Sequence, residues 1–130
     1  MSVERATLRS IEAMALENAV EGCVRETYGA LLATYQARAA RDPVVRAVMK
    51  RIASDETRHA ALSWDVGRWL ETRLDREAKS RVLAAKQVAA RELVSSVASE
   101  ATLSFSDVVG SPSAAQASQL ALEMARALWS

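Results

Sequence analysis

Arg41-Asp42-Pro43 decides the fold, because it separates two long segments that each have helical periodicity. Asp42 is a favourable N-cap residue, and Pro43 suits the first position of a helix. The residue before a proline is also disfavoured in the α region, so the preceding helix has to end before this point. We therefore predict a helical hairpin with a tight turn here.

Both arms of this hairpin carry a stripe of residues at spacings of three and four. The first helix is predicted from about Val3 to Ala39 and the second from Pro43 to about Leu70. We expect the two stripes to face each other in the interior. The first stripe consists of Met14, Glu17, Glu21, Val24, Tyr28, Leu31 and Tyr35, and the second of Val45, Val48, Ile52, Glu56, His59, Leu62, Val66 and Trp69.

The rest of the chain predicts two more helices. A third helix, from about residue 76 to residue 99, would be capped by Asp75, although no glycine or proline marks the break and one long bent helix is an alternative. Residues 104–113 contain Gly110 and Pro112 and are predicted to form a loop. The last helix, residues 114–129, would be capped by one of the serines at positions 111 and 113.

Composition supports an all-α fold. Alanine fills 26 of 130 positions, whereas glycine totals 4 and proline 2, so helix formers are abundant and the turn residues of a sheet are scarce. The length suits a single domain over residues 1–130, with a hairpin in residues 1–70 and additional helices in residues 76–130. The predicted architecture is a four-helix bundle.

The charge balance and the cysteine content exclude several classes of function. The chain has 17 Lys and Arg against 16 Asp and Glu, so electrostatics give no reason to expect nucleic acid or a membrane as the partner. A single cysteine, Cys23, permits no internal disulfide and is interpreted as a small buried residue. No apolar run is long enough to span a membrane, and the first ten residues lack the apolar core of a signal peptide. We expect a cytoplasmic protein.

The stretch Asp55-Glu56-Thr57-Arg58-His59 is the most informative for chemistry. Glu56 and His59 are three residues apart and lie one turn apart on the same helix face, which periodicity predicts to be buried. Burying a carboxylate and an imidazole is costly unless each is paired or binds a metal. Iron and manganese accept these ligands, and helical bundles supply them as Glu-x-x-His from one helix with a Glu from its neighbour.

The first helix offers three glutamates for that neighbouring position. If the turn is centred near residue 41, Glu17 lies about 8 Å beyond the level of Glu56 and His59 at a rise of about 1.5 Å per residue. Glu26 is at the right level but points roughly 160° away from the stripe at about 100° per residue. Glu21 lies at the edge of the stripe and near the right level. We therefore predict Glu21 as the ligand, with Glu26 as the reserve.

Three segments together resemble a known family: residues 21–27 (EGCVRET), Asp42-Pro43-x-x-Arg46, and residues 52–60 with their Asp-Glu-x-Arg-His core. They are similar to the second half of bacterial ferritin-like domains related to rubrerythrins. Residues 110–129 are similar to the C-terminal extension of some of those proteins. The resemblance covers most of the chain and is strongest over residues 17–70.

The resemblance implies a role for each matching residue. Glu21 and Glu56 would be carboxylate ligands, with Glu56 the bridging one, and His59 would be the nitrogen ligand. Asp55 would hydrogen-bond a ligand histidine on an opposite helix and fix its tautomer. Arg58 would face away from the metal and offset the local acidity. The metal would be iron, or manganese, and an active site of this kind would use dioxygen or peroxide as a ferroxidase or di-iron oxidase.

The chain departs from the family pattern because His59 is its only histidine. A ferritin-like domain uses two Glu-x-x-His helices, so this chain holds half of a di-metal site. Two halves related by a two-fold axis would complete the site, which predicts a homodimer. The alternatives are that the chain is half of a longer ferritin-like protein, or that it is a metal-free helical interaction module that retains the fold.

Overall fold

The computed structural model describes residues 10–99 and 113–129, and this part of the chain contains helices and no strand. The all-α prediction is confirmed there. The helices are α1 (Ile11–Glu17), a π-helix (Asn18–Glu26, the π segment), α2 (Thr27–Ala39), α3 (Pro43–Glu71), α4 (Arg76–Ser99) and α5 (Ala114–Leu128). The first three follow one another without a break and are called the N-terminal helix. The predictions for residues 3–9 and 104–112 lie outside the described residues.

The hairpin turn is built as predicted. The side chain of Asp42 accepts a hydrogen bond from the backbone N–H of Val44 at 2.8 Å, and Pro43 occupies the first turn of α3. Ala40 closes the preceding helix by donating its N–H to the carbonyl of Gln36 at 3.0 Å. Helices α2 and α3 therefore pack against each other as antiparallel neighbours, and α3 continues along the π segment and α1.

The break before α4 lies at Asp75, so the alternative of one long bent helix is wrong. The Asp75 side chain accepts a hydrogen bond from the N–H of Ala78 at 2.8 Å, the bond expected of an N-cap. A short turn that starts at Thr72 joins α3 to this cap. Ser113 caps α5 in the same way, and it forms a reciprocal capping box with Gln116.

The larger of the two hydrophobic clusters lies between the N-terminal helix and helices α4 and α5. Val24 is fully buried at its centre, and Tyr28 is buried one turn further along the N-terminal helix. The cluster also contains Ala89, Ala90, Val97, Ala121, Met124 and Trp129. A smaller cluster near the α3–α4 turn consists of Ala15, Ala19, Leu70 and Val82. The N-terminal helix thus packs against α3 and, separately, against α4 and α5.

The prediction that the α3 stripe faces the interior is wrong. The residues that α3 buries are Ala53, Ala60, Ser63 and Leu70, whereas Leu62 is 61% exposed, Trp69 53% and Val48 51%. Small side chains allow α3 to lie close to the N-terminal helix, and the large apolar side chains point away from it. In the first stripe Val24 and Tyr28 are buried, but Met14, Glu17, Glu21 and Leu31 are exposed. The N-terminal helix and α3 therefore each expose part of the face that was predicted to be interior.

None of the helices within the described residues is long and apolar enough to cross a membrane.

Candidate metal centre

The π segment sets the direction of the side chains on the N-terminal helix. A π-helix bonds i to i+5 and so contains more residues per turn than an α-helix. A projection at about 100° per residue therefore misplaces the side chains that follow Asn18. Segments of this kind are rare and occur frequently at functional sites.

Gly22 allows the π segment to contact α3 closely. A Cβ atom added to Gly22 would lie 2.3 Å from Ser63 Oγ and 2.5 Å from Ser63 Cβ, which no side chain could occupy without movement of α3. Asn18 fixes the start of the segment, because its Nδ2 donates a hydrogen bond to the carbonyl of Ser63 at 2.9 Å. The sulfur of Cys23 lies 3.7 Å from the same carbonyl. Ser63 is thus the residue of α3 that the π segment contacts most closely.

Glu26 faces α3, so the prediction that it points away is wrong. Its carboxylate accepts a hydrogen bond from the Ser63 hydroxyl at 3.0 Å. That hydroxyl also lies 3.0 Å from the carbonyl of His59, one turn earlier on α3. Glu26, the reserve candidate, is therefore tied to the turn of α3 that carries the histidine.

Glu21, the first-choice candidate, is exposed and directed along its own helix. Its carboxylate forms an ion pair with Arg25 at 2.8 Å, and both side chains are more than half exposed. Glu21 also lines an open depression of about 290 Å³, together with Met14, Glu17, Asn18, Gly22, Glu26 and Ser63. Three carboxylates therefore surround one opening beside the π segment.

Glu56 is half-buried on the side of α3 that faces α2. Its Oε2 atom lies 3.9 Å from where a Cβ of Gly29 would be, which places the carboxylate beside α2. Glu56 has no ion pair or hydrogen bond to its side chain among the described residues. Both oxygens of this half-buried carboxylate are therefore available to accept hydrogen bonds or to bind a metal.

His59 is exposed, and it lies among the apolar side chains that α3 turns away from the N-terminal helix. Asp55, one turn earlier, forms an ion pair with Arg58 of the same helix. In the described part of the chain, no group of three or more His, Cys, Asp and Glu side chains is close enough together to hold a metal ion. A single chain therefore does not assemble the predicted ligands into one site.

Comparison of the chain with protein-family models, with curated proteins and with solved structures gives no match. The ferritin-like resemblance therefore depends on the motifs in the chain itself.

Two further features of the site could not be read from the sequence. The hydroxyl of Ser63 and the gap at Gly22 join Glu26 to α3, but a serine and a glycine on separate helices carry no recognisable spacing signal.

Cys23 is buried as predicted, and burial raises the pKa of its thiol. A raised pKa disfavours the thiolate, which is the nucleophilic and metal-binding form.

Proposed function

We propose that this chain is a helical metal-binding protein whose carboxylate and histidine ligands come together between two copies. Glu56 and His59 are the ligands from α3, and Glu26 is the carboxylate from the N-terminal helix, with Glu21 as the alternative. The observation that carries the proposal is the position of His59. It lies one turn from a half-buried carboxylate that has no partner among the described residues, on a helix face that those residues leave uncovered.

The donor set suits iron, and manganese after it. Carboxylate oxygen and imidazole nitrogen are ligands that both metals accept. One chain offers one imidazole, and two chains related by a two-fold axis offer two imidazoles and four carboxylates, the set that ferritin-like bundles use. Iron bound there would supply redox chemistry with dioxygen or peroxide, whereas the residues of the chain would hold it and shield it from water.

A second candidate function is a metal-free interaction module. It is favoured by the absence of a three-ligand group in the described part of one chain, together with the uncovered apolar face of α3. Under this alternative His59 and Glu56 are polar residues of an interface and have no metal to bind.

Metal-dependent stabilisation separates the two candidates. We expect anaerobic Fe(II), or Mn(II), to raise the Tm of the wild type by ~10 °C at a concentration about 100-fold above Kd, because a ligand that binds only the folded state stabilises it by mass action. The variants Glu56→Gln and His59→Asn should lose this shift. Differential scanning calorimetry with and without metal measures it.

Glu92→Gln is the matched control, because Glu92 is an exposed glutamate on α4, a helix that carries none of the proposed ligands. It should keep the full metal-dependent shift. An equal shift in His59→Asn and wild type would refute the ligand assignment, and no shift in the wild type would favour the metal-free module.

A further inference from the structure

The exposed face of α3 has the repeat of a coiled-coil seam. From Val45 to Trp69, the residues on this face are separated alternately by three and four positions, the spacing of a and d residues in a heptad. The seam consists of Val45, Val48, Ile52, Asp55, His59, Leu62, Val66 and Trp69. Six of these eight are apolar, and Val48, Ile52, Leu62, Val66 and Trp69 are exposed. Within residues 10–99 and 113–129, this apolar seam is therefore unpaired.

The seam is also symmetric about residue 57. We consider two antiparallel copies of α3 that cross at residue 57. A residue that lies a given number of positions before 57 in one copy would then face the residue that lies the same number of positions after 57 in the other copy. Ile52 then meets the partner's Leu62, and Val48 meets the partner's Val66. Every a position meets a d position, as antiparallel pairing requires, and every apolar side chain meets an apolar one.

The two polar residues of the seam, Asp55 and His59, also face each other in this register and can form a hydrogen bond. Asp55 meets the partner's His59, and the two-fold axis produces this pair twice. A parallel pair would instead place Asp55 against the partner's Asp55, which like-charge repulsion disfavours. A polar residue at a core position of a coiled coil specifies its register. The Asp55 and His59 pair thus selects the antiparallel arrangement.

We propose that a second copy of this chain docks on the α3 seam, antiparallel, with the two-fold axis at the level of residue 57. This inference rests on the proposed function in that it names the partner and the surface on which His59, the nitrogen ligand, lies. The two roles of His59 are compatible, because one ring nitrogen can donate to the partner's Asp55 while the other binds a metal. The dimer itself requires no metal.

The first test is the oligomeric state in EDTA, measured by sedimentation equilibrium. We expect the wild type to be a dimer and Leu62→Glu to raise the dimer Kd by at least ~100-fold, since two carboxylates would enter the apolar seam. Ala61→Glu is the control: Ala61 is exposed on the same helix but lies about 200° around it from His59. A wild type that is monomeric at high micromolar concentration, or Ala61→Glu dissociating as readily as Leu62→Glu, would overturn the inference.

The second test fixes the register. Ile52→Cys and Leu62→Cys are purified separately, mixed, and treated with a short bismaleimide cross-linker. We expect a cross-linked dimer only in the mixture, because positions 52 and 62 face each other, whereas two copies of position 52 lie ~15 Å apart along the axis. Val48→Cys with Val66→Cys is a second pair for the case that one variant fails to fold. The wild type gives the background from Cys23.

Cross-linking of either single variant with itself, at least as strongly as in the mixture, would contradict this register. The two proposals fail separately. A correctly cross-linked dimer that shows no metal-dependent shift refutes the metal site alone. A metal-dependent shift in a chain that remains monomeric refutes the seam dimer and the sharing of the site between two copies, but leaves the metal ligands themselves in place.

Discussion

Trp129→Ala is expected to lower the free energy of unfolding by about 3–5 kcal/mol, the usual cost of removing a large aromatic side chain from a core. Trp129 is 1% exposed and follows the end of α5. Its indole N–H donates a hydrogen bond to the carbonyl of Cys23 in the π segment at 2.9 Å. The side chain therefore anchors the last helix to the segment that carries the candidate carboxylates.

Urea denaturation followed by circular dichroism measures this effect. Leu128→Ala is the control at the adjacent position, where the side chain is 43% exposed, and it should cost less than ~1 kcal/mol. Trp129→Phe keeps an aromatic ring but loses the N–H donor, so an intermediate loss is expected, and this variant remains measurable if Trp129→Ala does not fold. Equal losses for Trp129→Ala and Leu128→Ala would mean that Trp129 does not anchor α5.

Gly22→Ala should destabilise the fold by about 1–3 kcal/mol, the range found for overpacking a tight core. The added Cβ would meet both side-chain heavy atoms of Ser63 at 2.5 Å or less, so α3 must move away from the π segment. Gly29→Ala is the control, and it should stabilise the fold rather than destabilise it. Its Cβ meets only a Glu56 oxygen at 3.9 Å, and alanine is a better helix former than glycine by about 0.5–1 kcal/mol.

Equilibrium denaturation of the two variants compares them directly. Adding Ser63→Gly to Gly22→Ala should recover part of the loss, because it removes both atoms that the new Cβ meets. A neutral or stabilising Gly22→Ala would contradict the close contact between the π segment and α3, and with it the position of Glu26.

The helix ends could be predicted from the sequence because they depend on local chemistry. Asp42 with Pro43, Asp75, and Ser113 each cap the helix that the sequence assigns to them. A cap is a contact between residues a few positions apart, so its signal survives in the linear sequence.

The buried face of each helix could not be predicted in the same way. The alternating spacing of Val48, Ile52, Leu62 and Val66 correctly marks one side of α3, but it does not say whether the same chain or another covers that side. Small residues occupy the intramolecular contact instead, and Ala53 and Ala60 have little hydrophobic signal. Periodicity thus identified an apolar face of α3, but the helices of the described residues do not bury it.

The directions of Glu21 and Glu26 could not be predicted for a different reason. A projection with α-helical geometry misplaces residues 18–26, because the π segment turns Glu26 towards Ser63 while Glu21 pairs with Arg25. No residue type in the segment predicts a π-helix. The Glu-x-x-His motif on α3 can be recognised in the sequence, but the sequence does not show that Glu56 faces α2 while His59 lies on the exposed side of α3.

The iron content per chain, after anaerobic loading with Fe(II) and desalting, tests directly whether two chains share a metal site. A two-metal site shared by two chains predicts about one iron per chain in the wild type, lost in His59→Ala and retained in Glu92→Gln. A wild-type value near zero, or an unchanged value in His59→Ala, would contradict the account.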